Sequence, residues 1–204
     1  MNSPKVVAEY LNCLSILEEN TSLVYRKLAG RVESPHLIKS LLLSISQDSS
    51  KHSTLIKGIA DSIYDVKVKL GQCAKKLGEV WGTVNNCLDE VTNEELEMPD
   101  FHELLSVLDG LESNFCEEYH LFVNMQTLQF MIKQINQLYD INLERVKNVF
   151  ESIIKDEERH RELLDTIRGI IGENLRKRNN TPKVKYQNPD AWISYLSPTQ
   201  YDST

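Results

Sequence analysis

The sequence predicts an all-α protein built as a four-helix bundle, and three observations carry that prediction. Apolar residues recur at alternating steps of three and four over nearly all of residues 5–171, the spacing that lines one face of a packed helix. Glycine and proline are scarce in the 204 residues, at eight and six, so little interrupts a helix. Acids, imidazoles and a serine break the oily stripe near the middle of each of four long helices. Burying an unpaired carboxylate costs several kcal/mol, so these polar groups must converge on partners.

The first helix runs from about Lys5 to Ala29 and stops at Gly30. Its stripe is Val7, Leu11, Leu14, Glu18, Thr21, Tyr25 and Leu28. After the turn "GRVESP" a second helix opens, with Ser34 as the expected N-cap and Pro35 at the first helical position. Its stripe is Ile38, Leu42, Ile45, Ser49, His52, Ile56, Ile59 and Ile63. A further helix over about 69–91 places Leu70, Cys73, Leu77, Val80, Val84, Cys87 and Val91 on one face. The polar segment "TNEELEMPD" breaks it, and another helix starts near Asp100, with an interruption expected at Gly110. Its stripe continues through Leu111, Phe115, Glu118, Phe122, Met125, Leu128, Ile132 and Ile135. "NQLYDIN" reads as a turn. The last helix, about Asn142 to Ile171, carries Leu143, Val146, Phe150, Ile153, Glu157, His160, Leu164, Ile167 and Ile171 on one face. Residues 1–171 therefore form the bundle.

Beyond Gly172 the period is lost, a basic cluster appears and three of the six prolines gather, so 172–204 reads as an extended C-terminal tail. Trp192, Tyr195 and Leu196 are too apolar for a fully solvated tail. That part is expected to dock on the bundle or on a neighbouring subunit.

Two segments repeat. "QDSSKH" (47–52) matches "KDEERH" (155–160), pairing Asp48 with Asp156, Lys51 with Arg159 and His52 with His160. The central Glu-Glu is replaced by Ser-Ser, and Gln47 stands against Lys155. "LEENTSLVY" and "CEEYHLFVN" each set a Glu-Glu pair ahead of an oily run, which aligns Glu18 with Glu118. The chain thus reads as a duplicated helical hairpin. Glu18 to Ser49 is 31 residues (49 − 18) and Glu118 to Glu157 is 39 (157 − 118). One extra turn on each arm of the second hairpin absorbs the difference. Two like-oriented hairpins need a crossover as long as the bundle, and helix 69–91 would supply about 35 Å.

With these residues in place, the chain resembles the ferritin-like proteins, and among them the rubrerythrin type. Their pattern is a glutamate from each of two helices and Glu-x-x-His from each of the other two, all facing the bundle centre. The resemblance spans about residues 5–171 and is most specific in "FESIIKDEERHRELL". It implies that Glu18, His52, Glu118, Glu157 and His160 hold metal, iron first, with manganese or zinc equally suited to carboxylate and imidazole ligands. Tyr25, seven residues after Glu18, is similar to the tyrosine often found beside that site. The departure is Ser49, where the family places a fourth carboxylate.

Three functional readings follow. The five residues bind a metal pair and keep oxidase or peroxidase chemistry; or they hold one ion, or a weak pair, with little turnover. In the third, they satisfy one another as buried ion pairs and the protein is a metal-free helical interaction or structural module. Redox activity would require a separate electron donor, since no rubredoxin-like four-cysteine segment follows residue 171. A homo-oligomer, at its simplest a dimer, is the expected assembly. Glu19, Glu117, Glu158 and Glu162 lie off the stripe and read as solvated; His36, His102 and His120 receive no role.

The remaining composition narrows the partners. A net charge of −7 argues against nucleic acid, which needs a basic face. No apolar run approaches the roughly 20 residues of a membrane span, and the N-terminus lacks the pattern of a signal peptide, so a cytoplasmic protein is expected. The four cysteines, 13, 73, 87 and 116, show no Cys-x-x-Cys spacing; Cys73 and Cys87 lie on one apolar stripe and read as small hydrophobes, so neither a zinc site nor a disulfide framework is expected. There is no Gly-rich phosphate loop and no recognisable nucleophile setting.

Overall fold

The computed structural model describes residues 4–32, 35–92, 98–124 and 143–180, and among them five helices and no strand. These are α1 (Pro4–Arg31), α2 (His36–Ile63), α3 (Leu70–Glu90), α4 (Met98–Asn124) and α5 (Leu143–Asn180). None of the described helices is long and apolar enough to cross a membrane. The predicted stripe positions Met125 to Ile135, the turn "NQLYDIN", and the tail residues Trp192, Tyr195 and Leu196 lie outside the described residues.

Every residue of the predicted α1 stripe is buried. α2 begins one residue later than expected. Pro35 is extended (φ −74°, ψ 143°) and precedes the helix, and its carbonyl accepts the Ile38 N–H at 3.1 Å. Along α2, Ala60 is buried where Ile59 was expected. The two helices run antiparallel. Ser22 Oγ donates to the Ser46 carbonyl at 2.8 Å, and Ser46 Oγ to the Ser22 carbonyl at 2.9 Å. Further along, Glu19 meets Ser50.

α4 passes through Gly110 without the predicted break. A glycine inside a helix costs about 1 kcal/mol, too little to stop a helix with this apolar face. Tyr10 reaches Glu118 and Tyr25 reaches Glu112, so α4 runs antiparallel to α1. α5 is antiparallel to α4, with Arg161 at Asp109 and Arg168 Nη2 donating to the Leu105 carbonyl at 3.0 Å. It is also antiparallel to α2, with Lys51 at Asp156 and Arg159 at Asp48. Each of these four helices therefore opposes both neighbours it touches.

α3 links the pairs and differs from expectation in two ways. It is not one straight helix: Gly78 adopts φ +55°, ψ −124°, a region open to glycine and strained for other residues. It also corrects the reading of the cysteines, since Cys13 of α1 and Cys73 of α3 form a disulfide. Sequence spacing does not reveal this proximity between helices. Cys87 and Cys116 are free. Past Gly78, Asn85 meets Asn20 of α1. α3 thus carries the chain along α1, which lets α2 and α4 run in the same direction.

α5 also outlasts its predicted end. It continues through Gly172 to Asn180, because "ENLRKR" favours helix and glycine alone does not end one. The chain divides into two units, Met1–Ile170 and Ile171–Thr204. Of the second, only the end of α5 is described.

Candidate metal centre

Four helices each deliver one or two polar side chains to the interior of the first unit. Glu18 comes from α1, His52 from α2, Glu112 from α4, and Glu157 with His160 from α5; all five are at most 1% exposed. Their ligand-type atoms form two overlapping triplets, Glu18–His52–Glu157 and Glu112–Glu157–His160, with atoms in each within 4.8 Å of one another. Glu157 belongs to both. Its Oε1 lies 2.9 Å from His52 Nδ1 and its Oε2 lies 3.5 Å from His160 Nδ1. His160 Nδ1 is also 3.0 Å from Glu112 Oε2. The two imidazoles stack with centroids 5.9 Å apart.

Both histidines turn Nδ1 toward the acids and Nε2 away from them. Behind each ring stands an aspartate of the other hairpin. His52 Nε2 is 3.1 Å from Asp156 Oδ2, and His160 Nε2 is 3.5 Å from Asp48 Oδ2. Lys51 then bridges Asp48 (2.8 Å) and Asp156 (2.7 Å), while Arg159 bridges Asp156 (3.1 Å) and Asp48 (2.5 Å). The repeated Asp-x-x-Lys/Arg-His segments thus cross over, each aspartate facing the histidine of its counterpart, with a hydrogen bond formed between His52 and Asp156. The tyrosines behave alike. Tyr25 donates to Glu112, and Tyr119 donates to Glu18.

Of the five residues chosen from the sequence, Glu18, His52, Glu157 and His160 come together and Glu118 does not. Glu118 is half-buried outside the cluster and accepts the Tyr10 hydroxyl at 2.6 Å. Glu112 stands in its place. The buried face of α4 is wide, taking in Leu104, Leu105, Leu108, Leu111, Glu112, Phe115 and Tyr119, so a stripe drawn through Leu111 and Phe115 passes equally well to 118 or 119. One signal could have decided it. "LEENTSLVY" (17–25) aligns with "LESNFCEEY" (111–119), sharing Leu, Glu, Asn and Tyr. The tyrosine seven residues after Glu18 has its counterpart seven residues after Glu112.

The charges are unevenly placed. Burial, then the charge of Glu157, pushes Glu18 and Glu112 each up to about 8. Burial acts the same way on Glu157, but Glu112, His160 and His52 outweigh it and hold this carboxylate well below its ordinary range. Burial opposes protonation of His52, yet Glu157 and Glu18 raise it to about 9. His160, against the same opposition, is raised to about 12 by Asp48, Glu112 and Glu157. Asp48 is lowered, first by its contact with His160. Without metal, the centre is one carboxylate held between two imidazolium rings and flanked by two protonated acids.

That network leaves atoms unsatisfied. Glu18 Oε2, His52 Nδ1, Glu157 Oε1 and His160 Nε2 are buried and make no hydrogen bond; His52 Nδ1 faces Glu157 Oε1 at 2.9 Å, and His160 Nε2 faces Asp48 at 3.5 Å. The first three belong to the first triplet, and their residues supply oxygen and nitrogen donors of the kind that bind divalent metals. Ser49, one turn before His52, is buried and donates to the Ile45 carbonyl at 3.2 Å. The chain matches no protein-family model, no curated protein and no solved structure.

Proposed function

We propose that this chain is a ferritin-like bundle of the rubrerythrin type that binds divalent metal between Glu18, His52, Glu112, Glu157 and His160, with iron taken from the family resemblance. The observation that carries the reading is the set of orphaned atoms. Glu18 Oε2 is buried with no hydrogen-bond partner, and His52 Nδ1 and Glu157 Oε1 face each other 2.9 Å apart without forming a hydrogen bond, a costly arrangement that a shared cation would relieve. Asp156, 3.1 Å from His52 Nε2, supports it, because metal-binding histidines characteristically have their second ring nitrogen held by a carboxylate. The helix directions, with α3 as the long connection, are those a ferritin-like bundle requires.

On this reading Glu157 is shared between two positions, one completed by Glu18 and His52 and the other by Glu112 and His160. Iron held there would supply redox chemistry toward dioxygen or peroxide. The protein's own groups would bind it, exclude bulk water by complete burial, and direct phenol O–H groups of Tyr25 and Tyr119 at Glu112 and Glu18. An electron donor would be a separate protein. A cytoplasmic setting would require the Cys13–Cys73 disulfide to persist against a reducing pool.

A second reading, a metal-free interaction module, draws on the contacts the same five residues make with one another. Metal titration separates the two. Protein stripped with chelator and titrated anaerobically with Fe(II) should bind up to two equivalents. His160→Ala and His52→Ala should each remove one, and Glu112→Gln should weaken binding more than Glu118→Gln. A stripped protein that binds no divalent metal would leave the interaction module standing.

A further inference from the structure

Outside the buried centre, α4 and α5 bring together three side chains to which the sequence assigned no shared role. Cys116 and His120 are one turn apart on α4, the spacing that places both on one face of a helix. Glu158 approaches from α5. One ligand-type atom from each lies within 4.8 Å of the others. Cys116 is half-buried, and His120 and Glu158 are exposed. Cys116 is unpaired.

We propose that Cys116, His120 and Glu158 form a second metal site, open to solvent and suited to zinc. Thiolate, imidazole and carboxylate are the three zinc ligand types, and three protein ligands leave a fourth position for water. The donor set also separates this site from the buried one. Sulfur favours zinc-like ions, whereas a centre of carboxylates and imidazoles alone has no such preference.

The internal duplication supplies a control. The positions on the first hairpin that correspond to Cys116, His120 and Glu158 are Ser22, Arg26 and Ser50. There Ser22 bonds to Ser46, and Ser50 donates to Glu19. The same helix pair packs without a ligand set, so packing does not demand cysteine, histidine and glutamate at these places.

The proposal does not depend on metal in the buried centre, and its test is chosen to exclude that centre. Co(II) is titrated into the full-length protein with the disulfide intact. A thiolate-to-cobalt charge-transfer band in the near ultraviolet should grow to one equivalent and bleach on addition of zinc. The buried centre contains no sulfur and cannot give this band. Cys116→Ser should abolish it and Cys87→Ser should leave it unchanged. His120→Ala and Glu158→Ala should each weaken Co(II) binding by roughly tenfold or more, since loss of even an outer-shell partner costs about that much. These positions are at or near the surface, so the variants should fold. No band in the parent protein, a band that survives Cys116→Ser, or parental affinity in both His120→Ala and Glu158→Ala would overturn the proposal.

Discussion

At position 49 the interior carries a hydroxyl where its counterpart, Glu157, carries a carboxylate. Ser49 is buried, and its hydroxyl turns back to its own helix, so it offers the centre no charge. Ser49→Glu should add a fourth carboxylate one turn before His52. Two divalent ions would then face four negative charges instead of three, in a setting where neutralisation is worth more than at a surface. Fe(II) should bind more tightly and dioxygen should be consumed faster. Without metal, the variant should be less stable by roughly 1–3 kcal/mol, from burying another polar group. Unchanged affinity together with unchanged stability in denaturant would show that residue 49 does not face the centre. The residue scale also marks how far pattern reading reaches. Glu18, His52, Glu157 and His160 were legible because each interrupts a narrow oily stripe. Glu112 was not, because the stripe on α4 is two residues wide at Leu111–Glu112 and only the matching tyrosine fixes the choice.

Among the elements, α1, α2, α4 and α5 follow from period alone, since long amphipathic helices declare their buried faces. α3 does not. Leu70 is 63% exposed, and of the predicted face Cys73, Val84, Cys87 and Val91 are buried, so the face predicted for a straight helix is only partly used. The reason is the bend at Gly78, a conformation that a one-letter sequence cannot distinguish from a helical glycine. The disulfide to Cys13 is equally invisible, being a contact between elements. Two glycines test the bend. At both Gly78 and Gly82 an added Cβ would meet nothing within 4 Å, so any effect comes from the backbone. Gly78→Ala should lower stability by about 1–3 kcal/mol, the cost of forcing a side chain into a sparsely allowed region. Gly82→Ala, inside a regular stretch, should raise it by about 0.5–1 kcal/mol. Thermal melts that move in the same direction for both would mean that α3 runs straight.

For the whole molecule, the protonation of the buried centre should set how stability varies with pH, and metal bound as proposed would reverse the sign. Glu18 and Glu112 titrate at about 8 in the folded, metal-free protein against an ordinary 4.5, and His52 at about 9 against 6.5. A raised folded value gives a contribution that is complete below the unfolded value and is lost as pH rises through the folded one. The two acids therefore lose theirs between about pH 4.5 and 8, and His52 between about 6.5 and 9. Over that span the folded state holds more protons, each worth roughly 1.4 kcal/mol per pH unit. Glu157, Asp48 and Asp156 have lowered folded values, so their contribution is present above the ordinary carboxylate range and is lost only in stronger acid. Together these place the metal-free optimum at about pH 5. Metal bound as proposed would reverse the slope, because its ligands must be deprotonated and affinity therefore rises with pH. The urea midpoint of stripped protein should fall from pH 5 to pH 8.5, whereas with saturating Mn(II), a redox-quiet stand-in for iron, it should rise. Stripped protein that gains stability over that range would contradict the protonated centre. Curves with and without Mn(II) that coincide at pH 8.5 would show that this metal does not bind there.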